Sequence, residues 1–178
     1  MKKIVIINGL IAGLIISGIM VITHPLVDDG TIDIDNGMYL GYTSMVLGFA
    51  MIFVAIKTYR DQVLKGMITF LQACKIGLLV TLVASLLYAI TWDIYYRVAG
   101  SDFGEKYAAH YLDKMEEEGA SPEEINSMRT QMEDFNRLYK NTFIRFGMTL
   151  IEILPVGIII TLISAAILRR REVLPATP

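Results

Sequence analysis

The chain has 178 residues, of which 54% are hydrophobic, with a mean hydropathy of +0.51 and a formal net charge of -2 at pH 7. This hydropathy excludes an ordinary soluble domain, in which charged residues interrupt the apolar ones at helical or strand spacing. Because the net charge is slightly negative and no basic patch stands apart from the apolar blocks, nucleic acid is not expected as a partner. Cys74 is the single cysteine, which excludes an internal disulfide.

The apolar residues fall into four blocks, at residues 4–23, 38–56, 67–92 and 146–168. Since about 20 apolar residues in a helix cross a bilayer, each block is long enough to be a membrane span. We therefore predict an all-α integral membrane four-helix bundle, organised as one domain over residues 1–178. The first block is longer than the apolar core of a secretion signal, so we expect it to be retained, and we expect His24 and Pro25 to end its helix.

Basic residues are concentrated on one predicted side of the membrane. By contrast, the turn at residues 24–37 on the other side has four aspartates and no lysine or arginine. By the positive-inside rule both termini of this multi-pass protein are predicted to be cytoplasmic. The basic residues that carry this prediction are Lys2, Lys3, Lys57, Arg60, Lys65, Arg169, Arg170 and Arg171.

Small residues recur on one face of span one, where Gly9, Gly13 and Ser17 are spaced by four. Such a face lets a second helix approach closely inside a membrane. The spacing does not choose between a helix of the same chain and a second subunit. We expect internal packing, with a homo-oligomer or a membrane protein partner as the alternative and the lipid bilayer as the surroundings.

Residues 100–141 are predicted to form a helical hairpin outside the membrane, between spans three and four. Asp102 is placed to cap its first helix, and Gly119 is placed to end it. The run Ser121-Pro122-Glu123-Glu124 combines a capping box with proline at the first helical position, which is typical of a helix start. Apolar side chains recur at helical spacing in both halves, so the two helices are expected to pack together.

Two polar clusters contain residue types that bind cations. The acidic turn at residues 28–37 resembles a calcium loop, but it lacks the glutamate and the flanking soluble helices of an EF-hand. His110, Asp113 and Glu117 share one face of a helix that is expected to be exposed, where such side chains are usually solvated. We therefore predict neither a metal site nor a cofactor.

Two ionisable residues lie inside predicted spans: Lys75 in span three and Glu152 in span four. A charge at the bilayer centre costs about 2.5 to 3.5 kcal/mol on insertion scales, so each needs a physical reason. Their positions along the helices leave an axial gap of about 10 Å, so direct pairing stays open. For Lys75 we favour an extended side chain that reaches the headgroups.

Glu152 has a short side chain that reaches the headgroups poorly, and Pro155 follows it by three residues. Because proline frees a backbone carbonyl and bends a helix, the acid and the bend together can line a polar cavity. The alternative is a protonated Glu152 that is hydrogen-bonded to a threonine or tyrosine hydroxyl of a neighbouring helix. Lys75, Glu152 and Pro155 form the candidate intramembrane polar site, and both interpretations stay open.

The sequence has no nucleophile paired with a base, no HExxH motif and no glycine-rich phosphate loop, so an enzyme is not expected. The first hypothesis is a membrane protein with a structural, assembly or accessory role. The second is a small transporter or permeation subunit in which Glu152 takes up a proton or a cation. A water-filled pocket at Glu152 would favour transport, whereas a dry contact to a hydroxyl or to Lys75 would favour assembly.

Several short stretches resemble one known family. The chain is similar, over nearly its whole length, to the bacterial membrane proteins grouped as domain of unknown function 4199. The resemblance implies an integral protein of a bacterial inner membrane and no particular activity. The matching stretches are Gly41-Tyr42 with residues 45–49, Tyr59-Arg60-Asp61, Phe70 with Ala73, Lys75 and Gly77, Trp92-Asp93-Ile94-Tyr95-Tyr96, and Glu152-Ile153-Leu154-Pro155-Val156-Gly157 continuing to Leu168.

Overall fold

The computed structural model describes residues 1–169, and the predicted all-α fold is confirmed. Arg170 and Arg171, which contribute to the predicted topology, lie outside the described residues. Four of the helices are long and apolar enough to cross a membrane: α1, α2, α3 and α6. The helices are α1 (Lys2–Asp28), α2 (Ile34–Gln62), α3 (Phe70–Val98), α4 (Phe103–Glu117), α5 (Pro122–Tyr139) and α6 (Thr142–Leu168).

The four long helices form a bundle in which α1 and α3 run in one direction and α2 and α6 in the other. α1 packs against α2 and α3, and α6 packs against α3 and α2, so α1 and α6 lie on opposite sides. The N-terminus, the α2–α3 connection and Arg169 lie at one end, which we call the termini end. The α1–α2 turn and the α4–α5 hairpin lie at the other, which we call the hairpin end.

The first two spans are longer than the sequence predicts, and the turn between them is shorter. The prediction that His24 and Pro25 end the first helix is wrong, because α1 continues to Asp28. Proline lacks the N–H that would bond the preceding turn, but its carbonyl still accepts from the N–H of Asp29 at 3.0 Å. The helix therefore passes through Pro25, and α2 begins at Ile34 with Asp33 as its N-cap.

Span three begins three residues after the predicted boundary at Met67. Thr69 is its N-cap, and a capping box joins Thr69 and Gln72, because each side chain accepts from the backbone N–H of the other. Lys65 and Gly66 have positive φ angles of 52° and 98°. The chain therefore turns sharply before Thr69, and the helix begins at Phe70.

The small residues of α1 pack inside the chain. A Cβ added to Gly9 would lie 2.6 Å from Val83, and one added to Gly13 would lie 2.9 Å from Leu87. Both contacts are with α3, and Ser17 on the same face is buried. The small-residue face of α1 therefore packs against α3 and is not a free surface for a second subunit.

The α3–α6 interface is built from two reciprocal glycine and threonine contacts. A Cβ added to Gly77 of α3 would lie 2.6 Å from Thr161 of α6, and one added to Gly157 of α6 would clash with Thr81 of α3. The two threonine hydroxyls lie 3.4 Å apart in the buried space between the helices. Each glycine thus provides the space that the opposing threonine fills.

The predicted hairpin is present as α4 and α5, joined by a turn in which Gly119 has a φ of 81°. α5 begins as predicted, because Ser121 and Glu124 form the capping box and Pro122 is the first helical residue. Asp102 precedes α4, but its side chain makes no cap hydrogen bond. It forms an ion pair with Lys106 at 3.0 Å instead.

The hairpin is attached to the bundle through the turn between α1 and α2. Lys114 of α4 forms an ion pair with Asp35 at 2.8 Å, and His110 lies 3.8 Å from the same carboxylate. Lys106 lies 3.6 Å from Asp28 at the end of α1. α4 therefore lies across the hairpin end of the bundle.

The outer faces of the long helices expose large apolar side chains. Leu71 is 79% exposed and Ile151 is 73% exposed, at opposite halves of the bundle. In water such faces would be costly, whereas in a bilayer they contact lipid tails. The exposed apolar faces and the buried interior together fit a protein that spans the membrane four times.

Candidate functional site

The structure does not bring Lys75 and Glu152 together. Lys75 lies near the start of α3, at the termini end, and its side chain is exposed. Within residues 1–169 it forms no ion pair. Glu152 lies ten residues into α6 from the hairpin end, about 15 Å along the helix axis. The exposed position of Lys75 fits a side chain that extends toward the headgroups.

Glu152 lines a cavity of about 190 Å³ at the hairpin end, which we call the Glu152 cavity. All six helices contribute to its walls. Among the described residues Glu152 has no hydrogen-bond or ion-pair partner, so the predicted bond to a threonine or tyrosine hydroxyl is not formed. The polar and aromatic lining residues are Thr23, His24, Tyr42, Ser44, Tyr88, Trp92, Phe103, Tyr107, Tyr139 and Glu152.

Aromatic rings crowd the wall of the Glu152 cavity beside α1. The imidazole of His24 lies 5.0 Å from the Trp92 ring, 5.0 Å from the Tyr95 ring and 4.7 Å from the Phe103 ring, measured between centroids. Trp92 and Phe103 meet edge to face at 6.0 Å. These contacts join α1, α3 and α4 through ring packing.

A hydrogen bond fixes the opposite wall. The indole N–H of Trp92 donates to the hydroxyl of Tyr139 on α5 at 2.8 Å. Burial raises the pKa of Tyr139 above its ordinary value, so the phenol stays neutral at physiological pH. Glu152 is the one acidic side chain in the described lining of the cavity, which contains no lysine or arginine.

The packed core closes the cavity toward the termini end. Met45 lines the cavity, and beyond it Phe49 and Ile52 of α2 and Ile153 of α6 have exposures of 0%. Gly41 faces the open space, because a Cβ added there meets nothing within 4 Å. The cavity is therefore closed toward the termini end.

A second, larger space of about 550 Å³ lies between the hairpin and α6, and we call it the hairpin groove. Glu152, Phe103, Tyr107 and Tyr139 line both spaces. The groove and the cavity therefore meet at the Glu152 carboxylate. The remaining lining residues of the groove are Gly104, Ala108, Gln131, Met132, Phe135, Asn136, Met148 and Thr149.

Pro155 lies inside α6, which continues on both sides of it to Leu168. Because proline has no N–H, the carbonyl of Ile151 loses its helical partner one residue before Glu152. An unpaired carbonyl and an unpaired carboxylate thus lie next to each other along α6. Whether Glu152 and the helix break at Pro155 act together stays a prediction, because only a functional measurement can test it.

Arg145 is the residue that sequence reasoning missed. It is 2% exposed, stacks over the Tyr96 ring at 4.1 Å, and forms an ion pair with Asp93. Its guanidinium also donates to the carbonyls of Tyr139 at 3.0 Å and Lys140 at 3.3 Å. Asp93 also forms an ion pair with Arg97, four residues later on α3, at 2.8 Å. Arg145 therefore joins α3, the end of α5 and α6.

Three potential metal ligands also meet beside the hairpin. Ligand atoms of Asp33, Asp35 and His110 all lie within 4.8 Å of one another, whereas Asp113 and Glu117 are not part of this group. Lys114 already neutralises one oxygen of Asp35. Asp35 and its two partners, His110 and Lys114, attach α4 to the start of α2.

Four helices long and apolar enough to cross a membrane, joined by a helical hairpin, define a multi-pass membrane protein. Residues 7–170 match the family described as "Protein of unknown function (DUF4199)". The chain belongs to this family, and the resemblance found in the sequence is confirmed. No curated protein and no solved structure is significantly similar to it.

Proposed function

We propose that this chain is a non-enzymatic membrane protein that binds a small cation with organic substituents in the Glu152 cavity. The observation that carries the proposal is an unpaired carboxyl group, that of Glu152, in a cavity lined by aromatic rings. A carboxylate attracts a positive charge, and tryptophan and tyrosine faces attract cations through their quadrupoles. An anionic ligand would be repelled by the same carboxylate.

In the proposed orientation the cavity lies at the external end of the bundle. Lysine and arginine lie at the termini end, for example at Lys3, Lys57 and Arg169, while the α1–α2 turn is acidic. By the positive-inside rule the termini are cytoplasmic, in a bacterial inner membrane, and the hairpin faces outward. The accessory role proposed for the protein is then to capture a cation from the external side.

An enzyme is not proposed. Ser44 lines the cavity, but its hydroxyl donates to the carbonyl of Gly41 at 2.7 Å and is not activated by a base. Tyr139 already accepts from Trp92. Among the described residues the cavity thus offers charge and ring faces for binding, and no nucleophile paired with a base.

Trp92 provides a direct test, because it is the single tryptophan of the chain and lies in the cavity wall. We expect tetramethylammonium to change Trp92 fluorescence saturably in protein held in phosphatidylglycerol nanodiscs, at constant ionic strength. Glu152→Gln is expected to weaken binding by about tenfold or more, since losing about 1.4 kcal/mol of attraction has that effect. Gly41→Leu, which fills the cavity, should also weaken it.

Glu133→Gln is the matched control, because Glu133 is exposed on α5 and lines neither described space. It removes the same charge and should leave the affinity unchanged. If Glu152→Gln and Glu133→Gln bind tetramethylammonium equally well, or if the unmodified protein shows no saturable response, the proposal is wrong.

Transport is the second candidate, and the unpaired Glu152 three residues before Pro155 favours it. The pairing of an acid with a helix break provides a site where binding can be coupled to bending of α6. In liposomes with an imposed proton gradient, we expect labelled tetramethylammonium to accumulate with the unmodified protein and not with Glu152→Gln. Pro155→Ala should slow uptake and preserve binding. Binding of tetramethylammonium without uptake would contradict transport and would support the accessory role alone.

A further inference from the structure

We infer that the cation bound at Glu152 is the head of a single-chain amphiphile, whose apolar tail lies in the hairpin groove. The inference rests on the proposed function and adds the class of ligand. Its basis is that the Glu152 cavity and the hairpin groove meet at one carboxylate. A compact cation needs the cavity alone, whereas both spaces together suit a molecule with two chemically different ends.

Apolar side chains line much of the groove, beside the polar side chains of Gln131, Asn136 and Thr149. Met132 and Phe135 of α5 face Met148 of α6 across it, and Ala108 of α4 forms part of the wall. Glu152 is the one acidic residue in the described lining, and it also lines the cavity. At about 550 Å³ the groove is in the range that holds organic ligands.

The position of the groove indicates that the ligand enters from the membrane. Its α6 wall runs from Met148 to Glu152, about 9 to 15 Å into a membrane-spanning helix. α5 touches α6 much less than α3 does, so the hairpin leaves that side of α6 open. Phe135 at the rim is 49% exposed and Phe143 on the same side of the membrane is 88% exposed, as in surfaces that contact lipid.

The size and charge of the groove favour one chain and a positive head. A phospholipid would bring two acyl chains and a phosphate next to Glu152, where like charges repel. A single-chain amine or quaternary ammonium has neither difficulty. Its head would contact Glu152 and the rings of the cavity, and its chain would follow α6 between Met148 and Met132.

The test compares two probes with the same head, tetramethylammonium and octyltrimethylammonium, by Trp92 fluorescence in phosphatidylglycerol nanodiscs. Ala108→Phe fills the groove and leaves the cavity lining unchanged, because Ala108 lines the groove alone. We expect the octyl probe to bind at least about tenfold more tightly than the short one to the unmodified protein. Ala108→Phe should remove most of that advantage and preserve the affinity for the short probe.

Ala109→Phe is the matched control, since Ala109 is exposed and lines neither space. It should bind both probes as the unmodified protein does. If Ala108→Phe leaves the octyl affinity unchanged while Glu152→Gln still weakens both probes, the amphiphile inference fails and the proposed function stands. If octanol competes as well as the octyl cation, the charged head is irrelevant and the inference also fails. If neither probe binds, both proposals fail.

Discussion

Replacing Asp93 by leucine is expected to destabilise the protein by about 3 to 5 kcal/mol, the largest effect that we predict for a single substitution. Arg145 is 2% exposed, so without the Asp93 carboxylate its guanidinium would remain buried with no counter-charge. Removing one partner of a buried ion pair has this cost because the other charge stays desolvated. The loss should appear as a lower midpoint for unfolding by SDS in mixed micelles, followed by Trp92 fluorescence.

Two further variants separate the buried pair from its exposed neighbour. Arg97 bonds the other oxygen of Asp93 but is 59% exposed, so Arg97→Met should cost less than about 1 kcal/mol. Combining Asp93→Leu with Arg145→Met removes both buried charges and should recover much of the stability lost in Asp93→Leu. Equal losses in Asp93→Leu and Arg97→Met would contradict the central role of Arg145.

Gly157→Val is the second substitution with a large expected effect, a destabilisation of roughly 1 to 3 kcal/mol. A side chain at this position would clash with Thr81 of α3 and would lie 3.0 Å from Phe49 of α2. Both neighbours are buried, so α6 would have to move away from the bundle. The Thr81–Thr161 contact across the same interface would be lost at the same time.

Gly147→Val is the appropriate comparison, because it makes the same change in the same helix at a position where a Cβ meets nothing within 4 Å. The two variants share the change in helix propensity, so the difference in their SDS midpoints measures the clash alone. Indistinguishable midpoints would show that α3 and α6 can separate without cost.

The sequence predicts most of the fold because the dominant signals are local. A membrane span is a continuous apolar run, and the second hairpin helix is marked by a capping box at Ser121 and Glu124. The predicted end of span one at Pro25 is wrong, because proline removes one helical hydrogen bond and α1 continues to Asp28. Local patterns thus specify which helices form better than where they end.

The site depends on residues far apart in sequence, and only part of it could be predicted. An acid inside an apolar span is conspicuous, so Glu152 was recognised, but nothing local places His24, Trp92 and Tyr139 around it. Arg145 lies next to the predicted start of span four, where arginine usually contacts headgroups. Its burial follows from Asp93, which lies 52 residues earlier on another helix. The reciprocal glycine and threonine contacts were missed for the same reason.

The attachment of the hairpin to the bundle has a consequence for biogenesis. The groups that hold it come from separate spans: Asp35 of α2, Trp92 of α3 and Arg145 of α6. The last of these is synthesised only after the hairpin itself. The hairpin therefore acquires its final position after the fourth span has been inserted. The Glu152 cavity, whose wall includes α6, is complete only in a fully inserted chain.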